Sequence, residues 1–395
     1  MIDTALERQA PPARSVWEAG RAAEMLRLAG SLVVVKAAIL LVVFLAVKLL
    51  PFWVEQYQAN FVDPDYANAT PLQWAFSAWD GQHYLYLADN GYHAGQMSNA
   101  FYPLFPGLIH LATPLFGSSL PAGLLVSNLC SLAGLLVLFD MFRRLHGGAT
   151  ARRTLLLYVA FPTAFFLTLI YNDSLFLLLA AVFFNLLYRG KLEWAAVPAA
   201  LLPLTKPQGT LVMAPFLIYF WFEHREAWGW RALLPFSPLV GIGALLAFMY
   251  LTTGNALEML AAQQLFPSGY SALLIFHPLQ LIHQLTGVPL ALYGYTNSIL
   301  DRIFFGVFLL LLIPLFRYVR PSLAVFGLLT GILSVVTGTF MSYQRYMLLA
   351  FPIFLGLAIG LRRWRLGWLQ WPLVFVLIMV QGLFTAMCAL DYWVA

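Results

Sequence analysis

Residues 161–196 read FPTAFFLTLIYNDSLFLLLAAVFFNLLYRGKLEWAA. Two apolar runs, about 154–170 and 174–188, meet at Tyr171-Asn172-Asp173 with almost no loop between them, and the second closes on Arg189-Gly190-Lys191. An acidic turn at one end and a basic turn at the other is the pattern of a hairpin that passes between two faces of a membrane. Outward from this hairpin, further apolar runs stand near 29–50, 120–142, 192–204, 207–222, 232–252, 302–316, 322–341, 346–361 and 368–390. A helix needs about 20 such residues to cross ~30 Å of hydrocarbon. Several runs are shorter than that, notably the pair around LLPLTKPQG, and these are expected to be broken or re-entrant.

Composition agrees. Of 395 residues, 61% are hydrophobic and only 10% charged, and mean hydropathy is +0.79, far outside the range of soluble proteins. The expected class is an all-α polytopic membrane protein of about eleven spans in one domain, 1–395, with 1–27 as an interfacial helix on the inner face. Cys130 and Cys388 both sit inside apolar runs, so no disulfide framework or cysteine-based metal site is expected. GxGxxG, Walker A and HExxH patterns do not occur, which leaves nucleotide and zincin chemistry without support. The net charge of +5 is spread in short clusters between apolar segments, a topology signal rather than a nucleic-acid surface.

With the N-terminus inside, all but five of the 22 Lys and Arg residues fall on the inner face. The five are Lys36 and Lys48 in the first span, and Lys206, Arg302 and Arg345 towards the outer face. Two outer loops are long, about 51–119 and 253–300, and neither contains a lysine or arginine. The first carries Glu55, Asp63, Asp65, Asp80 and Asp89 among aromatics, which suggests short amphipathic helices along the membrane surface.

Four polar clusters emerge on that outer face: AWDGQH (78–83), YND (171–173), TKPQG (205–209) and SYQRY (342–346). Their convergence from distant parts of the chain is what an active site assembled from loops requires. Asp80, between Trp79 and Gly81, is either a general base or the cap of a short helix. Asp63 and Asp65 are a solvated turn or an oxygen-ligand pair for a metal, and Asp89-Asn90-Gly91 is turn chemistry. Asn172 and Asp173 either cap two helices or face the acceptor. Lys206 and Arg345 suit a phosphate near the membrane plane, or else snorkel to headgroups. An ion pair with Asp301 explains Arg302. His83, His93, His110, His277 and His283 lack the spacing of a zinc site, although His83 is three residues after Asp80 and shares a helical face with it.

WDGQHYLYLADNGYH followed by AFYPLFPGLIHL (100–111) resembles the PIG-V-type mannosyltransferases, the group that includes GPI mannosyltransferase II and its bacterial relatives. The hairpin block 161–196, LTKPQG (204–209) and QRYMLLAFP (344–352) follow in that family's order, so the resemblance covers about 74–355. It implies a C-type glycosyltransferase (GT-C) fold with the active site on the extracytoplasmic side; compact loops and modest length suggest a bacterial plasma membrane rather than the endoplasmic reticulum. It also implies a polyprenyl-phosphate sugar donor, most simply mannose, a lipid or glycan acceptor, and Asp80 as base in an inverting transfer. Arg345 and Lys206 would hold the donor phosphate. Asp173, Asn172, Trp79, His83, Gln82, Tyr102, Gln208 and Tyr343 would surround acceptor or sugar, with Trp79, Tyr84, Tyr102 and Tyr343 as stacking faces. No cofactor is expected, and a divalent metal is compatible but not required. The chain departs from the family where many relatives carry Ser-Glu in place of Asn172-Asp173 and Arg in place of Lys206. The rival reading is a transporter or flippase of a lipid-linked sugar, which usually carries paired halves and midplane substrate residues.

Overall fold

The structure, a computed structural model, describes residues 14–61, 69–223, 229–266, 298–336 and 340–394, with single positions 279 and 291. All elements assigned among these residues are helices. Asp63, Asp65, His277 and His283 lie outside them.

Five described helices are long and apolar enough to cross a membrane: Gly20–Leu49, Ser119–His146, Trp230–Thr253, Ile299–Tyr318 and Gly367–Ala389. A sixth candidate is the pair Tyr343–Leu349 and Pro352–Arg363, bent by 80°; Pro352 lacks an amide hydrogen, so the helix restarts there. Four further apolar helices, Leu104–Leu115, Asp173–Leu187, Leu192–Leu204 and Pro321–Val336, are shorter than a full span. The expected separation of an interfacial helix from the first span is not seen. One helix runs unbroken from Arg14 to Leu49. The first long loop does fold into short helices, Val54–Asn60, Pro71–Phe76, Asp80–Asn90 and Leu104–Ala112.

The core lies where Ser119–His146 packs on Asp173–Leu187 and where Ile299–Tyr318 packs on Pro352–Arg363. It is filled by aromatics such as Phe142, Phe176, Phe184, Phe326 and Phe351. Outward faces expose Leu251, Leu310, Trp371 and Met379, as a lipid-facing surface must.

The apolar run 154–170 is not a helix throughout. Helix Gly148–Val159 ends, and residues 160–172 continue in turns and one short 3-10 segment while fully buried. Buried backbone carbonyls outside a helix need donors, and four side chains from other helices supply them. Lys36 Nζ and Ser131 Oγ donate to the Leu167 carbonyl at 2.8 and 2.6 Å. Asn128 Nδ2 donates to the Thr168 carbonyl at 2.9 Å, and Gln381 Nε2 to those of Val159 and Phe161, each at 2.9 Å. Lys36 also donates to Ser131 Oγ at 2.7 Å. A buried cation inside the first span is thus explained by the broken segment beside it, the segment that delivers Tyr171, Asn172 and Asp173.

The TKPQG segment is a second break, as expected from its length. Lys206 is extended between the 3-10 turns Leu202–Leu204 and Pro207–Val212. Gly209 makes the close return: a Cβ there would stand 2.1 Å from the Leu202 carbonyl oxygen.

Candidate active site

All four clusters contribute one charged residue each to a single constellation. Asp173 is the first residue of helix Asp173–Leu187, its side chain 0% exposed, at the dipole end that favours a carboxylate. Lys206 Nζ donates to Asp173 Oδ1 at 2.7 Å. The Arg345 guanidinium approaches Asp173 Oδ2 through Nε at 3.0 Å and Nη2 at 2.8 Å, and Asp80 Oδ2 through Nη1 at 2.5 Å. Its flat faces lie over the rings of Tyr171 and Phe166, 4.5 and 5.1 Å from their centroids. Two carboxylates and two cations leave the quartet neutral, which is what makes such burial tolerable. Asp80 differs from the others in reaching outward. Its side chain is 30% exposed against 7% for Arg345.

The backbone holding Asp80 and Arg345 is strained. Trp79, immediately before Asp80, has φ 56° and ψ −119°, and Ser342, which opens the helix of Arg345, has φ 59°. Non-glycine residues at positive φ persist only where their surroundings force them, at about 1–3 kcal/mol each. Around Trp79 those surroundings are specific: Asn60 Nδ2 donates to its carbonyl at 3.3 Å, the Tyr171 hydroxyl to the Ala78 carbonyl at 3.1 Å, and Trp393 meets its ring edge-on at 4.9 Å. On the other side, the Gln344 amide donates to Asp301 Oδ1 at 3.2 Å, and the Gln344 side chain donates to the Val394 carbonyl at 2.5 Å.

Around the quartet stand buried polar atoms without a hydrogen-bonding partner: both side-chain heteroatoms of Gln82, His83 Nε2, Asn172 Oδ1 and Gln208 Oε1. Each belongs to a residue within three positions of Asp80, Asp173 or Lys206. Such atoms are rare in folded interiors and cost about 1–3 kcal/mol when unmet. Asn172 also donates through Nδ2 to the Thr205 carbonyl, tying the YND and TKPQG turns together.

His83 is sandwiched between Phe61 and Phe101, with ring centroids 4.5 and 4.7 Å away, and its Nδ1 shares a hydrogen bond with Ser98 Oγ at 2.9 Å. Burial pulls its pKa down to about 4, although nearby Asp80 opposes the shift. It is a neutral ring at physiological pH.

The structure places the remaining candidates as follows. Asp173 faces Lys206 and Arg345 and is buried. The aromatic residues are interior: Tyr343 packs among Phe305, Phe308 and Phe340, and Tyr84 against Phe101 and Phe105. Tyr102 lies in a cluster with Leu87, Tyr92 and Met249, and Trp79 in one with Phe165, Phe166 and Tyr171. Asp301 engages the Gln344 amide, and Arg302 donates to the Ser298 carbonyl and lies over Phe340; the two neighbours also attract each other electrostatically. His110 bonds the Ala88 carbonyl and His93 that of Asn90, both local ties. Asp391 escaped the sequence reading. It is fully buried just beyond helix Gln370–Ala389, with both carboxylate oxygens unpartnered, and burial pushes it up to about 7. An acid directly after a long apolar run was the available signal.

Comparison with known proteins gives three kinds of likeness. Residues 100–262 match the family model described as dolichyl-phosphate-mannose-protein mannosyltransferase. GPI alpha-1,6-mannosyltransferase 2 of Rattus norvegicus is 28% identical over 195 residues, which is 46% of this chain and 38% of that protein. The chain therefore matches well under half the length of this relative. Among solved structures, ArnT from Cupriavidus metallidurans bound to undecaprenyl phosphate aligns with 16% identity over 84% of this chain and 60% of that chain, at a TM-score of 0.47. The Archaeoglobus fulgidus oligosaccharyltransferase aligns with 12% identity over 91% and 55%, at a TM-score of 0.41. The resemblance to PIG-V-type mannosyltransferases drawn from the sequence blocks is borne out by the first two matches.

Proposed function

We propose that the protein is a membrane glycosyltransferase that moves a mannosyl group from a polyprenyl-phosphate donor to a hydroxyl of a lipid or glycan acceptor, on the extracytoplasmic face of a bacterial plasma membrane. The observation that carries the reading is the asymmetry of the quartet. One carboxylate, Asp80, is partly open, while the group that orients it, Arg345, is locked from behind by a sealed carboxylate, Asp173. The mannosyltransferase matches support mannose as the sugar moved.

In this reaction Asp80 takes the proton of the acceptor hydroxyl, and the oxygen attacks the anomeric carbon. The bond from that carbon to the phosphate oxygen breaks, and the lipid leaves as a phosphate monoester. Displacement by a single attack inverts the anomeric configuration. Charge builds on the departing phosphate, and fixed donors aimed at such charge are the most effective electrostatic catalysts. Arg345 and Lys206 are those donors, with Asp173 holding both at the same point so that they need not reorganise. The unmet polar atoms of Gln82, His83, Asn172 and Gln208 suit the hydroxyls of sugar and acceptor. Since the leaving group carries no diphosphate, a divalent ion is not needed to neutralise it.

The direct test is product analysis. Purified protein with polyprenyl-phosphate mannose and membrane lipid acceptors is expected to release polyprenyl monophosphate in equal amount to a new mannoside of opposite anomeric configuration. Retention of configuration, or consumption of the donor with no new glycoside, contradicts the reading.

A further inference from the structure

At the opposite end of the bundle four arginines converge on one acid. Arg21 on helix Arg14–Leu49, Arg143 and Arg144 in the last turn of helix Ser119–His146, and Arg189 just after helix Asp173–Leu187 all point to Asp140. The distances are 2.6, 3.3, 3.3 and 2.8 Å. Asp140 Oδ1 accepts from Arg21 and Arg143, and Oδ2 from Arg144 and Arg189. A carboxylate has about four acceptor sites, so this one is saturated. The Asn185 side-chain oxygen takes two more hydrogen bonds, from Arg144 Nη2 and Arg189 Nε.

Neither satisfaction is complete. Each guanidinium carries five donors, and Arg143 Nε is buried with no acceptor. Among the described side chains one negative charge stands against four positive, a surplus of three, unlike the neutral quartet at the other end. Of the described acids nearby, Glu24 pairs with Arg152 and Glu193 with Arg231. The arginine side chains keep 19–46% of their exposure while Asp140 keeps 7%, so the surplus charge faces outward. Depth also fits. Ser119, which bonds Asp89 of the first long loop, begins the helix on which Asp140 lies 21 residues further on. At 1.5 Å per residue that is about 32 Å, one hydrocarbon thickness away. On the same first helix Leu26, Val33 and Val34 are exposed, on a different face from Arg21.

We propose that this cluster is a binding site for the phosphate of an anionic phospholipid in the leaflet opposite Asp80. A planar guanidinium fork matches phosphate oxygens better than an ammonium does, and basic pockets between membrane helices are suited to anionic headgroups. The inference is independent of the chemistry proposed for Asp80.

The test is lipid retention measured by native mass spectrometry on protein stripped in neutral detergent. Phosphatidylglycerol and phosphatidylcholine with identical chains are added separately, with an excess of inorganic phosphate as a third arm. Phosphatidylglycerol is expected to bind in preference. The combined Arg21→Gln and Arg189→Gln protein is expected to bind it about tenfold or more weaker, because two of the four cations facing the phosphate are gone. Arg362→Gln with Arg363→Gln, exposed positions elsewhere, serves as a control expected to retain full binding. If the double variant misfolds, Arg21→Gln alone, the most exposed of the four, gives the same direction. Equal binding of both lipids, or equal loss in the control, overturns the site. Full displacement by inorganic phosphate makes it a soluble-anion site and overturns the lipid assignment.

Discussion

At the scale of residues, Asp80 and Asp173 separate cleanly by burial. Both bond Arg345, but only Asp173 is enclosed with two cations. Removing one member of a buried ion network leaves uncompensated charge and costs about 3–5 kcal/mol. Asp173→Asn is therefore expected to lower stability by that order, read as a fall in the melting temperature in detergent, and to slow transfer in the protein that stays folded, because Lys206 and Arg345 lose the group that holds them. His83 supplies a pH dependence. Its folded pKa, about 4, lies below the value near 6.5 of an unfolded histidine. The unfolded chain thus binds a proton that the native chain does not, and stability falls as pH drops from about 6.5 towards 4. His83→Gln is expected to flatten that decline when melting is followed between pH 7.5 and 5. The charged residues were readable in the sequence because cations are scarce outside the inner loops. The division of labour between the two aspartates was not, since spacing alone does not say which carboxylate will be sealed.

At the scale of elements, the runs around 154–170 and 207–222 show the limit of hydropathy. A continuous apolar run has the same pattern whether it is a spanning helix or a buried chain in turns. What decides is where the backbone hydrogen bonds go, and here they go to Lys36, Asn128, Ser131 and Gln381, far away in sequence. Lys36→Met keeps the length and removes the donor. It is expected to cost about 0.5–1.5 kcal/mol, the worth of one hydrogen bond, because Ser131 still donates to the Leu167 carbonyl, while Lys48→Met, exposed at the end of the same helix, costs little. Gly209→Ala is expected to destabilise by about 1–3 kcal/mol or more by overpacking, because the atom in the way is backbone. Breaks at Tyr171-Asn172-Asp173 and Thr205-Lys206-Pro207 were anticipated from polar residues interrupting short runs. The 80° bend between Leu349 and Pro352 was not, although Pro352 stood in the run as its only sign.

At the scale of the whole molecule, distant segments meet in one neutral, strained and incompletely satisfied site, and a surplus of positive charge gathers about one membrane thickness away. All-α architecture, the two long loops and the convergence of polar clusters were legible from composition and charge placement. The interior packing of Tyr84, Tyr102 and Tyr343 was not, because an aromatic ring beside a polar motif looks the same in sequence whether it lines a cavity or fills a core.

The central claim is that Asp80 is the general base of a mannosyl transfer. The measurement that tests it most directly is initial rate of transfer from polyprenyl-phosphate mannose by Asp80→Asn and wild-type protein, with melting recorded on the same samples. Loss of a positioned base predicts a fall of about 10²–10⁴-fold with the fold intact. A variant that folds and transfers at the wild-type rate contradicts the account, as does a wild-type protein that moves the intact donor across the bilayer and transfers nothing.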